Sequence, residues 1–225
     1  MHMVKRTLAA VTAGAVCFMS MPAVLAENMG SSISVQAATN DWMEEWNWII
    51  YGDFYYVKTD ENTIQIVGYR GNEEKVEIPA EIDGIAVTHI RGFGPFLFTG
   101  NAAVTTVIIP ESITEITKGA FSYCENLTNI IISEGVTKLG GLSGCKTLTN
   151  IDIPESVTEI EAETFSECTS LTSVVLPESV TKIGNNAFYG CTSLTDIVLP
   201  ETVTEFGSNI FRNCTSLTNV TPFID

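Results

Sequence analysis

Five cysteines keep step through the second half of this chain. Cys124, Cys145, Cys168, Cys191 and Cys214 lie 21, 23, 23 and 23 residues apart. Two other residue types keep the same beat: Pro110, Pro154, Pro177 and Pro200 are spaced 44, 23 and 23, and so are Phe121, Phe165, Phe188 and Phe211. The interval of 44 holds two units, one of them 21 residues long, in which Ser133 stands for the proline and Leu142 for the phenylalanine. A fixed period of about 20–50 residues, carried by three unrelated residue types, marks an array of stacked repeats. That constraint excludes most globular architectures before composition is considered.

Each unit has the same internal grammar. In the third, Ile151 and Ile153 alternate with polar Asn150 and Asp152, the period of two expected of a half-buried strand. Pro154 ends it, because proline brings no amide hydrogen to the next ladder position. Val157 and Ile160 turn inward again, and Phe165, Cys168 and Leu171 close the coil. One coil cannot bury this apolar set alone. Stacked coils make it continuous, with parallel strands about 4.8 Å apart.

The run Cys168-Thr-Ser-Leu171-Thr-Ser-Val174-Val-Leu-Pro177-Glu-Ser-Val180-Thr-Lys-Ile183-Gly, followed by Ala187-Phe188, resembles the BspA-like leucine-rich repeats of bacterial surface proteins. The resemblance covers 107–220 strongly. It extends more weakly back through Val76-Glu-Ile-Pro79 and Val87-Thr-His-Ile90, in a longer unit carrying Gly92, Gly94, Pro95 and Gly100. It implies a repeat solenoid, mainly β: a curved, right-handed leucine-rich-repeat coil with parallel strands. The functions it implies are adhesion and the binding of host or partner molecules.

The rest of the chain divides around this array. Lys5 and Arg6 precede an apolar run from Thr7 to Met21, and Val24 and Ala26 suit signal peptidase. The run is shorter than the roughly 20 residues of a membrane span. Residues 1–26 therefore read as an export signal, with a second cleavage position after Ala37, and 27–40 as a flexible linker. The expected cap is 41–75, containing a β-hairpin from Phe54–Val57 and Thr63–Val67 around Lys58–Asn62. Within it Trp42, Trp46 and Ile49 have helical spacing, in a segment short enough to be a loop. An irregular first repeat follows at 76–106, then five repeats of 21–23 residues at 107–219. Residues 220–225 start a sixth strand or form a short tail. An open last coil there, with Phe206, Ile210 and Phe211 to cover, invites self-association.

Charge and the residue inventory narrow the function. Without residues 1–26 the chain keeps 9 Lys and Arg against 27 Asp and Glu, a net charge of −18. Such a surface repels nucleic-acid phosphates and anionic lipid. Nothing after the signal is long and apolar enough to span a membrane. His89 is the only histidine beyond the signal, and its position in the repeat matches Glu115, Lys138, Glu159, Lys182 and Glu205. It reads as an outward residue of that column, so no nucleophile has a histidine base. No Cys-x-x-Cys pair or phosphate-binding glycine loop occurs. No enzyme and no cofactor are expected.

The cysteines are odd in number and in phase, which suits free buried thiols better than bridges or a metal site. The column Glu111, Glu134, Glu155, Glu178 and Glu201 reads as solvated turn residues, with weak calcium binding as the functional alternative. The outward strand positions form two further columns. One is Asn129, Asn150, Ser173, Asp196 and Asn219; the other is Ile108, Ile131, Asp152, Val175 and Val198. From these, Asn129, Ile131, Asn150, Asp152, Ser173, Val175, Asp196 and Val198 are the candidate partner-binding residues. Their alternative role is to favour the strand itself. The expectation is a secreted or surface-associated module for a protein partner or host matrix component. A structural spacer and a carbohydrate-binding accessory, the latter stacking sugars on Trp42, Trp46 and Trp48, are the alternatives.

Overall fold

The computed structural model describes residues 48–92, 98 and 100–222. The export signal, the linker, Trp42 and Trp46 lie outside the described residues, as do 223–225. The strands are β1 (Ile49–Tyr51), β2 (Phe54–Lys58), β3 (Thr63–Tyr69), β4 (Lys75–Glu77), β5 (Glu81–Ile82) and β6 (Ile85–Ile90). They continue as β7 (Thr106–Ile109), β8 (Glu115–Ile116), β9 (Asn129–Ile132), β10 (Lys138–Leu139) and β11 (Glu159–Ile160). The last are β12 (Ser173–Val175), β13 (Lys182–Ile183), β14 (Asp196–Leu199), β15 (Glu205–Phe206) and β16 (Asn219–Pro222).

One long sheet runs β1-β2-β3-β6-β8-β10-β11-β13-β15. Its first three strands are antiparallel and form the expected hairpin at Phe54–Lys58 and Thr63–Tyr69. From β3 onward every pairing along that path is parallel, one strand per coil. Ile49 belongs to β1 and pairs with Tyr56, so it is a strand residue and not part of a helical face. The chain is a parallel solenoid sealed at its N-terminal side by this hairpin.

The opposite strand column is divided. Strands β4, β7 and β9 form one three-stranded sheet and β12, β14 and β16 another. Between them the third repeat crosses 151–154 without strand pairing. The interruption comes directly after the short repeat. In that repeat Leu139 and Leu142 are three residues apart, whereas Ile116 and Phe121, or Ile160 and Phe165, are five. The shortcut needs Gly141. Its φ is +77°, and a Cβ there would lie 2.4 Å from the Thr117 carbonyl oxygen. Groups two coils apart meet across it: the Lys118 backbone N–H donates to Glu161 Oε2 at 3.1 Å, and Lys118 Nζ pairs with Glu163 Oε2 at 2.7 Å.

The core is one continuous cluster from Tyr56 to Ile210. Phe165 and Phe188 stack at 5.2 Å and Phe188 and Phe211 at 5.7 Å. A second aromatic run joins Tyr69, Phe98 and Phe121 at 4.9 and 4.8 Å. Buried Leu142 separates the two runs. The prolines act at the start of a turn, where the carbonyls of Pro110, Pro154, Pro177 and Pro200 accept from the amide three residues on. Ser133, in the proline position of the short unit, donates its hydroxyl to the Ile109 carbonyl at 2.7 Å.

Candidate binding surface

Parallel register brings the two outward columns together much as the spacing requires. Asn129 pairs with Thr106 and Ile131 with Ile108. Ser173, Asp196 and Asn219 align, as do Val175, Val198 and Thr221. Asn150 and Asp152 are exposed between the two sheets, outside any strand. Ile131 and Val175 are 48% and 56% exposed, high for β-branched side chains on strands otherwise packed to a core. Asp196 accepts from the Thr195 hydroxyl and the Asn219 amide, which hold its carboxyl below the ordinary range.

The same register extends the columns to β4. Lys75 aligns with Thr106, and Glu77 with Ile108. The repeat of Val76-Glu-Ile-Pro79 as Val107-Ile-Ile-Pro110 carried that signal in the sequence. At the other end β16 pairs with β14 over four residues, from Asn219 to Pro222, so the sixth strand is formed at these positions. On the last coil Phe206 is 58% exposed, and Glu205 beside it is also exposed.

The long sheet presents a different face. His89, Glu115, Lys138, Glu159, Lys182 and Glu205 stand in one register. Lys138 Nζ lies 2.8 Å from Glu115 and Lys182 Nζ 2.9 Å from Glu159. His89 Nε2 lies 3.7 Å from Glu115, and its Nδ1 shares a 2.7 Å hydrogen bond with the Thr88 hydroxyl. Hydrogen bonding to Glu115 raises Lys138, and hydrogen bonding to Glu159 raises Lys182. Most charges of this ladder are satisfied by one another.

All five repeat cysteines are free, four buried and Cys214 half-buried. Each sulfur donates to a carbonyl of the preceding coil: Cys124 to Phe98, Cys145 to Phe121, Cys168 to Leu142, Cys191 to Phe165 and Cys214 to Phe188, at 2.7–3.3 Å. This donor role was not read from the sequence. Each of those carbonyls also accepts from the backbone amide three residues on, so a small apolar residue in place of cysteine would fill the site and remove only the second hydrogen bond. Burial pushes the Cys124 and Cys168 thiols up to about 12. Cys191 is raised by its contact with the Cys214 sulfur and by burial, and the same contact lowers Cys214.

Glu111, Glu134, Glu155, Glu178 and Glu201 are all exposed. Among the described residues no three acidic, histidine or cysteine side chains gather as a metal site. Glu134 instead accepts from the Ser156 backbone N–H at 3.1 Å. Of the three tryptophans only Trp48 is described, tilted against Tyr55 at 6.0 Å. Tyr51, Phe54 and Tyr69 stand near it in sequence or sheet and line a cleft of about 240 Å³ with Asp53, Glu73, Lys75 and Glu77. Sequence reasoning weighed the tryptophans and passed over this set. No described helix is long and apolar enough to cross a membrane.

A parallel-stranded solenoid with an apolar ladder inside and side-chain columns outside defines a leucine-rich-repeat scaffold. The model of the BspA type leucine rich repeat region matches residues 81–143 and 141–223, in six copies. The chain belongs to that family. Among solved structures it is similar to a leucine-rich repeat protein of T. pallidum, at 28% identity and a TM-score of 0.63, covering 74% of this chain and 88% of that one. It is also similar in fold to the pneumococcal vaccine antigen PcpA, at 20% identity and a TM-score of 0.57; 77% of this chain aligns with 48% of that antigen. A search of curated proteins gave no match.

Proposed function

We propose that this chain is an exported, non-catalytic binding module, secreted or held at the cell surface, which docks a protein partner on its outward strand face. The carrying observation is the pair Ile131 and Val175, about half exposed on strands that a rigid core fixes in place. Short polar residues flank them: Asn129, Asn150, Ser173 and Asp196. Exposed apolar positions interrupted by Asp152 and flanked by short polar groups are the mixed composition of a protein interface. The neighbouring charge ladder is a poorer docking face, because its ions already have partners. Export is supported by the N-terminal signal pattern, and a surface role by the family.

The test uses the full chain and a panel of purified extracellular-matrix proteins on a biosensor. Saturable binding by the parent chain, lost in an Ile131→Lys, Val175→Lys double variant with an unchanged melting profile, is the expected result. Binding that survives both substitutions, or no saturable partner in the panel, would remove the reading and leave a structural spacer.

A further inference from the structure

The cleft beside the N-terminal hairpin has the chemistry of a ligand site that the strand face lacks. It lies where the tip of the β1–β2 hairpin meets the edge strand β4. The tip is tight: Tyr51 pairs directly with Phe54, and Gly52 between them takes a φ of +55°. That geometry brings two half-buried aromatic rings to the same end of the hairpin. Phe54 is backed by Tyr69 at 5.1 Å, and Tyr69 stacks on Phe98 at 4.9 Å with planes 11° apart. The aromatic floor is therefore anchored in the core and keeps its orientation without a ligand.

Around this floor stand charged groups that largely neutralise one another. Lys75 Nζ lies 2.8 Å from Glu77, Arg70 Nε lies 3.5 Å from Asp53, and Arg70 also donates to the Gly52 carbonyl at 3.0 Å. Glu73 completes the rim. A carboxylate can accept about four hydrogen bonds and an ammonium can donate three, so each pair retains capacity. Two neutralised pairs and the single further carboxylate of Glu73 leave little net charge to draw an ion. They suit a neutral molecule with many hydroxyls, each able to donate to a carboxylate and accept from an ammonium. The floor asks for one thing more: a flat face of C–H groups to set against an electron-rich ring. A pyranose ring supplies both. The volume, about 240 Å³, falls just under the ~300–1,000 Å³ of sites for drug-sized ligands and fits a short saccharide.

We propose that Tyr51, Phe54, Glu73, Lys75 and Glu77 form a subsite for a neutral glycan, with a pyranose ring over the aromatic floor and its hydroxyls on the charged rim. Glu77 and Lys75 head the outward columns of β7 and β9, so a bound sugar would lie at the end of the strand face. The subsite is independent of the protein-docking reading, because Ile131 and Val175 do not line it.

The experiment screens the full chain against an array of neutral gluco-, galacto- and manno-configured oligosaccharides, then titrates the best binder by calorimetry. Saturable binding that is unchanged by added sodium chloride is expected. Tyr51→Ala and Glu73→Ala should each weaken it about tenfold or more, the loss of one stacking face or one charge-assisted hydrogen bond. Glu73 is exposed, so Glu73→Ala should melt like the parent, whereas Tyr51 packs against the core and Tyr51→Ala is assayed below its own, somewhat lower, melting temperature. The Ile131→Lys, Val175→Lys variant should bind the glycan normally, which separates this site from the strand face. The proposal is overturned if no glycan on the array binds, if both alanine variants bind like the parent, or if choline competes as well as the sugar.

Discussion

Phe188→Ala is the substitution on which the stacked-core account is most exposed. Phe188 is fully buried and lies between two rings, 5.2 Å from Phe165 and 5.7 Å from Phe211. A buried Phe→Ala change costs about 3–5 kcal/mol, through lost transfer energy plus the cavity left behind. Two aromatic neighbours, each contributing about 0.5–1.5 kcal/mol, place this site at the upper part of that range. Its backbone bonds survive: the amide still donates to Ile210 and the carbonyl still accepts from Cys214. The loss is thus one of packing. Phe211 is partly exposed and has one ring neighbour, so Phe211→Ala should cost clearly less, about half. At roughly 2–4 °C per kcal/mol for a chain of this size, Phe188→Ala should lower Tm by about 8–20 °C.

Position in the solenoid adds a second expectation. Away from the short repeat each coil packs on its two neighbours, so the deleted ring weakens the interfaces with the Phe165 and Phe211 coils and uncouples what lies beyond them. Hydrogen exchange reads this directly. The amides of Thr195, Thr204 and Thr218, which donate to Thr172, Thr181 and Thr195, should lose more protection than those of Thr128 and Thr137. A cost below about 1 kcal/mol, equal costs for Phe188→Ala and Phe211→Ala, or uniform loss of protection would refute the reasoning.

Three more outcomes follow from the same geometry. With a maleimide at neutral pH, only Cys214 of the five repeat thiols should react in the native chain, and all five after denaturation; a second fast native thiol would contradict the buried ladder. Gly141→Ala should cost about 1–3 kcal/mol by denaturant titration, since φ is +77° and the new methyl meets the Thr117 carbonyl; a neutral result would mean the short repeat closes another way. Burial raises the Glu161 carboxyl, so its neutral form suits the fold: the stability it contributes is complete below the unfolded carboxylate pKa and is lost as pH rises through the folded value. Glu161→Gln can still accept from the Lys118 amide, so its Tm should exceed that of the parent by a margin that grows from ~pH 4 to ~pH 7, and a constant margin would count against this assignment.

The repeats were legible because the period-2 strands and the cysteine, proline and phenylalanine columns reported the same burial pattern independently. Val76-Glu-Ile-Pro79 even pointed to the coil before the regular array. What escaped was conformational and donor detail. The residue before each repeat cysteine, at Tyr123, Gly144, Glu167, Gly190 and Asn213, has φ between 59° and 73°. Gly and Asn at three of these positions were a signal, whereas Tyr and Glu there ran against local preference. Tertiary bonds decide it: the amides of Tyr123 and Glu167 donate to Ser143 and Tyr189 on the next coil. The N-terminal cleft escaped for a different reason. Its floor comes from the hairpin and its rim partly from β4, and no single stretch of sequence displays the two together.

The two outer faces differ in what their side chains have left to offer. On the long sheet, signs alternate from Glu115 to Glu205 at the spacing of one coil, so lysine reaches carboxylate within the protein. Exposed pairs of this kind contribute little stability, on the order of 0–1 kcal/mol each. Their clearer effect is on register, since slipping by one coil would set like charges opposite each other. A partner docking there would have to break these pairs or desolvate them. On the strand face Ile131 and Val175 meet no such internal demand, and covering them removes apolar surface from water at about 25 cal/mol per Å². The solenoid thus specifies its stacking with one face and leaves the other available. That division, more than any single residue, is the physical reason to look for the partner on the column from Ile131 to Val198.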